Sequence, residues 1–111
     1  MHTIPNADRT FVDLRKLRDY CLNMGHPRGR HKARVFLASL GLTREDSDGL
    51  RVRLLEAARS EVAVEIEGDR YGRRYRIDFT LNTGRRVARV RSLWIVRRGE
   101  DFPRFTSCYV I

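Results

Sequence analysis

The chain has 111 residues, 41% of them apolar and 33% charged, a balance that suits one globular domain with one core and excludes a disordered chain. Its formal net charge is +9 and its pI is near 10.7, so RNA or an acidic protein is the partner that composition favours. No apolar run approaches the ~20 residues of a membrane span. Met1-His2-Thr3-Ile4-Pro5 lacks a basic stretch followed by an apolar one, so the expected location is cytoplasmic, without a membrane.

Residues 1–12 read as extended, with a turn at Asn6-Ala7-Asp8. A first helix starts at Asp13, because Leu14, Leu17, Cys21 and Leu22 recur at i, i+3, i+7 and i+8. Gly25 is its expected C-cap. The stretch His26-Pro27-Arg28-Gly29-Arg30-His31-Lys32 follows as a loop, set by proline and by glycine's freedom at positive φ. It opens a second helix over 31–40, with Ala33, Phe36, Leu37 and Leu40 on its apolar face and Gly41 as its stop. Thr43-Arg44-Glu45-Asp46 has capping-box spacing, with Asp in place of Glu. The third helix then runs to Arg59, carrying Leu50, Leu54, Leu55 and Ala58. From Glu61 the period becomes two, which predicts strands over 62–67, 71–81, 86–97 and 104–110 joined by short turns. The fold class is therefore α+β: three N-terminal helices packed on a four-stranded antiparallel meander, in one domain spanning 1–111.

Two basic groupings stand out. Of the 23 cations only Lys16 and Lys32 are lysines, and arginine binds phosphate bidentately and stacks on bases. On the strands, alternation sends Arg74, Arg76, Arg89 and Arg91 to the face away from the helices, with Glu65 and Glu67 partly neutralising them. Trp94 falls on the helix-packed face. Thr106 and Tyr109 differ by an odd number of positions and should point opposite ways. In the basic loop, Arg28, Arg30 and Lys32 lie where a helix N-terminus would offer free amides to a phosphate. His31 and His26 are the candidate base and acid for metal-free RNA cleavage by 2′-OH attack, with Lys32 and the sheet arginines stabilising the phosphorane.

Other chemistries lack their signatures. There is no His-x-x-His or Cys-x-x-Cys pattern, no Gly-x-Ser-x-Gly elbow, no phosphate-binding loop ending in Lys-Ser/Thr and no dinucleotide fingerprint. No metal or cofactor is expected. Cys21 and Cys108 read as reduced core thiols, although a disulfide is formally open to them. A helix-turn-helix made of the second and third helices would put few of the arginines on its recognition helix.

The segments Ile4-Pro5-Asn6-Ala7, Leu17-Arg18-Asp19-Tyr20, His26 through Ala33, Tyr71-Gly72 and Trp94 through Arg104 resemble an uncharacterised bacterial domain family over nearly the whole chain. Such domains resemble those that stand alone beside a small partner gene or sit at the C-termini of large secreted toxins. That likeness implies a toxin with a cognate antitoxin or immunity protein; joined to the RNA-cleavage chemistry above, the expectation is a ribonuclease toxin neutralised by a small acidic antitoxin or immunity protein. Helices followed by a four-stranded meander are also similar to the barnase/EndoU/colicin/RelE-like ribonuclease group. Non-catalytic binding of RNA or of an acidic protein is the alternative expectation.

Overall fold

The structure, a computed structural model, describes residues 2–111; Met1, the first residue of the expected extended start, lies outside them. It is α+β, with helices leading into a four-stranded antiparallel sheet of order β1-β2-β3-β4. The strands are β1 (Ala63–Asp69), β2 (Gly72–Asn82), β3 (Val87–Arg97) and β4 (Pro103–Val110). Along β2, Tyr75, Ile77, Phe79 and Leu81 stand on one face, opposite Trp94, Ser92, Val90 and Ala88 of β3 in that order. Trp94 is buried on this face, as its parity predicts, and its indole Nε1–H donates to Ser92 Oγ at 2.9 Å. The Ser92 hydroxyl in turn donates to the Ile77 carbonyl, which satisfies both polar groups inside the core.

Three helical segments close that face. The first, α1 (Leu14–Lys16), passes into a π-helical turn at Leu17–Cys21; α2 spans Arg30–Leu40 and α3 spans Ser47–Ser60. Leu17, Cys21, Leu22, Phe36, Leu40, Leu50 and Leu54 meet the sheet in a single core. A side chain sealed as fully as Phe36 or Leu54 contributes about 1.5–3 kcal/mol. Leu37, expected on the buried face of α2, is exposed; on α3 Ala57 is buried with Leu50, Leu54 and Ala58, and Leu55 packs half-buried against the same core. Gly41 stops α2 in the left-handed conformation (φ 70°). Gly25 does not cap the first helix. That helix ends earlier, where Leu22 N–H returns to the Leu17 carbonyl, and the Asn23 side chain accepts Gly25 N–H. Asp46 fills the capping position despite its shorter side chain, taking the Thr43 N–H at 2.8 Å.

The N-terminal segment binds both edges of the sheet. The Ala63 N–H at the start of β1 donates to the His2 carbonyl. At the other edge Phe11 forms a parallel bridge with Arg104 of β4, through bonds of 2.9 Å to Pro103 and Phe105. Between these ends Ile4 is buried and Asn6 turns the chain at positive φ, its amide donating to the Asp101 carbonyl. Cys21 and Cys108 are both free and buried, with Cys21 Sγ 3.8 Å from Ser107 Oγ. Burial pushes the Cys108 thiol up.

Asp13 caps α1 by accepting the Arg15 N–H at 3.0 Å, while the Arg15 guanidinium grips the same carboxylate. These bonds hold its pKa at about 2. The folded value lies below the unfolded one, so this contribution is complete above roughly pH 4 and is lost as pH falls through about 2. Wild type should therefore lose more stability between pH 4 and pH 2 than Asp13→Asn, which keeps a capping oxygen but cannot titrate. Urea midpoints at both pH values give the comparison, and equal losses would remove Asp13 from the acid response.

Candidate nucleic-acid interface

The face of the sheet away from the helices is open, and alternation puts the arginines on it. In the β2–β3 ladder Arg74 faces Ile95, Arg76 faces Leu93, Asp78 faces Arg91 and Thr80 faces Arg89. The acid among them is Asp78, which receives two bonds from Arg91 at 2.9 and 3.0 Å and lies 3.8 Å from Arg76. The Arg91 bonds hold the Asp78 carboxyl below the usual carboxylate range. Glu65, expected to neutralise this face, stands beside Tyr75 on the helix side of the sheet and pairs with Arg73 instead. Glu67 forms no ion pair among the described residues. Arg74 is held by Asp69 at 2.8 Å, and among the described residues the Arg89 guanidinium bonds only the Thr80 hydroxyl. The four arginines expected here are thus brought together on one face, but two carboxylates occupy three of them.

A β-bulge changes what β4 contributes. Leu93 pairs with Ser107 and Trp94 with Phe105, so Thr106 is an extra residue in the strand. One inserted position flips the parity of everything after it. Phe105 and Cys108 both face the core, and Thr106 and Tyr109 both reach the open face, contrary to the alternation expected of them. Tyr109 lies opposite Arg91.

Toward the β1–β2 hairpin the open face deepens into a cleft of about 690 Å³, where Arg74, Ile95 and Thr106 meet Lys16, Arg70, Tyr71, Arg97 and Arg98. No carboxylate lines it. Lys16 comes from α1 and reaches the cleft beside β4; Arg70 and Tyr71 come from the hairpin turn. Tyr71 is 57% exposed, with the Arg70 guanidinium 5.0 Å from its ring centre and bonded to its hydroxyl at 2.9 Å. Arg74 is held by Asp69, but Lys16, Arg70, Arg97 and Arg98 form no ion pair among the described residues, so the exposed ring stands where a base can stack while phosphates are neutralised. Sequence reasoning missed this end because Arg97-Arg98 reads as ordinary turn charge. The adjacency of Arg70 and Tyr71 in a short turn was the available signal.

The basic loop belongs to the other layer. Its helix, α2, packs Ala33, Phe36 and Leu40 toward the core, and at 100° per residue His31 lies on the opposite side of the cylinder, facing solvent. His31 forms no side-chain hydrogen bond, and the guanidinium groups of Arg28 and Arg30 are exposed without partners among the described residues. His26 is used structurally. Its Nδ1 accepts the Arg28 and Gly29 N–H groups at 3.0 and 2.9 Å, so the ring takes the amides that a phosphate was expected to hold. Lys32 turns inward, its Nζ 2.9 Å from the Tyr20 hydroxyl. The loop therefore does not meet the sheet arginines, and His31 does not lie at the rim of the basic face.

These features define the class: an α+β domain with helices on one face of a meander and a bare, arginine-bearing surface on the other. The chain belongs to the family described as the domain of unknown function DUF6883, whose model matches residues 3–111. No curated protein and no solved structure matches it. Among the described residues no helix is long and apolar enough to cross a membrane.

Proposed function

We propose that this chain is a cytoplasmic module that binds single-stranded RNA on the open face of its sheet, centred on the hairpin-end cleft. The observation that carries the reading is the acid-free cleft in which the exposed Tyr71 ring stands among Lys16, Arg70, Arg97 and Arg98. Phosphates supply counter-charge to the cations, and an unstacked base covers the ring. Duplex RNA offers no free base to Tyr71, so the preference is for single strands. A small acidic antitoxin or immunity protein would seat on the same surplus of charge and displace RNA from it. Cleavage is not part of this reading, because His31 points away from the sheet and His26 spends its Nδ1 on backbone amides.

Fluorescence anisotropy with a labelled single-stranded 12-mer tests it. Binding should weaken linearly on a log–log plot against salt, as counterion release requires. Tyr71→Ala should weaken it about tenfold, since one base–aromatic stack is worth roughly 1–3 kcal/mol. An absence of binding at low salt, or binding indifferent to Tyr71, would overturn the reading.

A further inference from the structure

A second cleft, of about 850 Å³, opens on the helix side of the sheet at the same hairpin end, bounded by the β1–β2 hairpin, the β3–β4 turn and Pro5-Asn6. Its volume falls in the range of small-molecule sites. At its inner wall is Tyr75, 5% exposed, whose hydroxyl is buried and has no hydrogen-bond partner among the described residues. Buried hydroxyls are almost always satisfied, so an orphan beside a cleft is a donor that a bound molecule could take up. The hydroxyl lies in the fields of Arg73 and Glu65, both of which line the cleft, and burial holds the phenol above its ordinary pKa, so it stays a donor.

Charge at the cleft selects the ligand. Its four carboxylates are already taken: Glu65 by Arg73, Asp69 by Arg74, Glu100 by Arg104 and Asp101 by Arg9. Arg97 and Arg98 line the cleft and form no ion pair among the described residues. The free charge is therefore cationic and supplied by two guanidiniums, each able to grip two oxygens of one phosphate. A phosphomonoester carries about −1.5 to −2, against −1 for an internal diester, and matches two cations better. The same two arginines line the cleft on the open face, so they form a ridge between the two sites at the end of the sheet.

We propose that the Tyr75 cleft binds a nucleoside phosphomonoester, with the phosphate on Arg97 and Arg98 and the Tyr75 hydroxyl donating to an acceptor on the nucleoside. The choice of a nucleoside rests on the RNA reading above. Such a group is either a free mononucleotide or the phosphorylated end of a strand whose body lies on the open face.

Calorimetric titration of wild type and Tyr75→Phe with adenosine and uridine 5′-monophosphates, and with single-stranded 8-mers bearing a 5′-phosphate or a 5′-hydroxyl, tests the proposal. Wild type should bind a monophosphate, and Tyr75→Phe should weaken that binding about tenfold. Its melting temperature should be equal or higher, because only an orphan group is removed. Arg97→Gln/Arg98→Gln should abolish any preference for the phosphorylated 8-mer. A preference for the 5′-phosphate 8-mer that Tyr75→Phe reduces identifies the strand end as the source; monophosphate binding without end preference identifies the free nucleotide. Monophosphate binding that depends on Tyr75 while neither 8-mer binds would leave this cleft standing and remove the RNA reading. Binding of 8-mers without dependence on Tyr75 or on the end group, or no monophosphate binding, would overturn the cleft and leave the RNA reading untouched.

Discussion

Gly29→Ala is expected to lower the unfolding free energy by about 3 kcal/mol, although it adds a single methyl group. At most glycines with ordinary helical φ, alanine stabilises by about 0.4–1 kcal/mol, because it restricts the unfolded chain. Gly29 has φ −71° and would be such a position if space alone were free. Its added Cβ, however, would fall 2.1 Å from the Tyr20 carbonyl oxygen and 2.8 Å from its carbon. Both are backbone atoms of the π-helical turn and cannot rotate away. Relief requires the α2 N-terminus to lift from that turn, which also pulls the Gly29 N–H from His26 Nδ1. Gly84→Ala is the control: φ is +90° there but nothing lies within 4 Å, so it should cost only about 1 kcal/mol of backbone strain. Urea midpoints of the two variants compare them, and equal losses would show that the close approach at Tyr20 is not what requires glycine.

Charge reversal of Lys16 and Arg70 together should weaken single-stranded RNA binding roughly 100-fold at low salt, with little change in melting temperature. Both side chains are exposed, neither forms an ion pair among the described residues, and both line only the open-face cleft. Lys16→Glu/Arg70→Glu therefore tests the surface without disturbing a carboxylate partner, as reversal of Arg74 or Arg91 would. Because fewer phosphates are neutralised, the slope of log affinity against log salt should also flatten by about one to two units. A weakened affinity with an unchanged slope would mean that the substitutions act on something other than phosphate contacts. An unchanged affinity would move the RNA path off the hairpin end.

The regular parts of this fold were legible in the chain because they obey a period. Alternation assigned Trp94 to the core and Arg74, Arg76, Arg89 and Arg91 to the open face; helical spacing found Leu17, Cys21, Phe36 and Leu54. What escaped is whatever depends on one atom meeting another across the fold. The inserted Thr106 leaves no mark in the β4 sequence, yet it decides which face Tyr109 serves. Glycine at position 29 signals backbone freedom in sequence, whereas its use is clearance beneath Tyr20. His26 is a titratable group by composition and a backbone cap by position, and only the two N–H groups aimed at its Nδ1 distinguish them. The hairpin-end cleft collects Lys16, Arg70 and Arg98 from three distant parts of the chain, so no local pattern contains it.

The bridge between Phe11 and Arg104 also bears on how the protein is made. A ribosome delivers Phe11 well before Phe105, whose N–H donates to the Phe11 carbonyl 94 positions earlier in the chain. Until then β4 does not exist, and Phe11 has no strand edge to lie against. Val12, next to Phe11 and sealed in the finished core, therefore stays short of its full cover until β4 is made. At about 5–20 residues per second that interval lasts several seconds, long compared with the collapse of the helices. The sheet can thus close on the Phe11 segment only once β4 has emerged, and until then that segment is open to any chaperone that takes extended apolar chain.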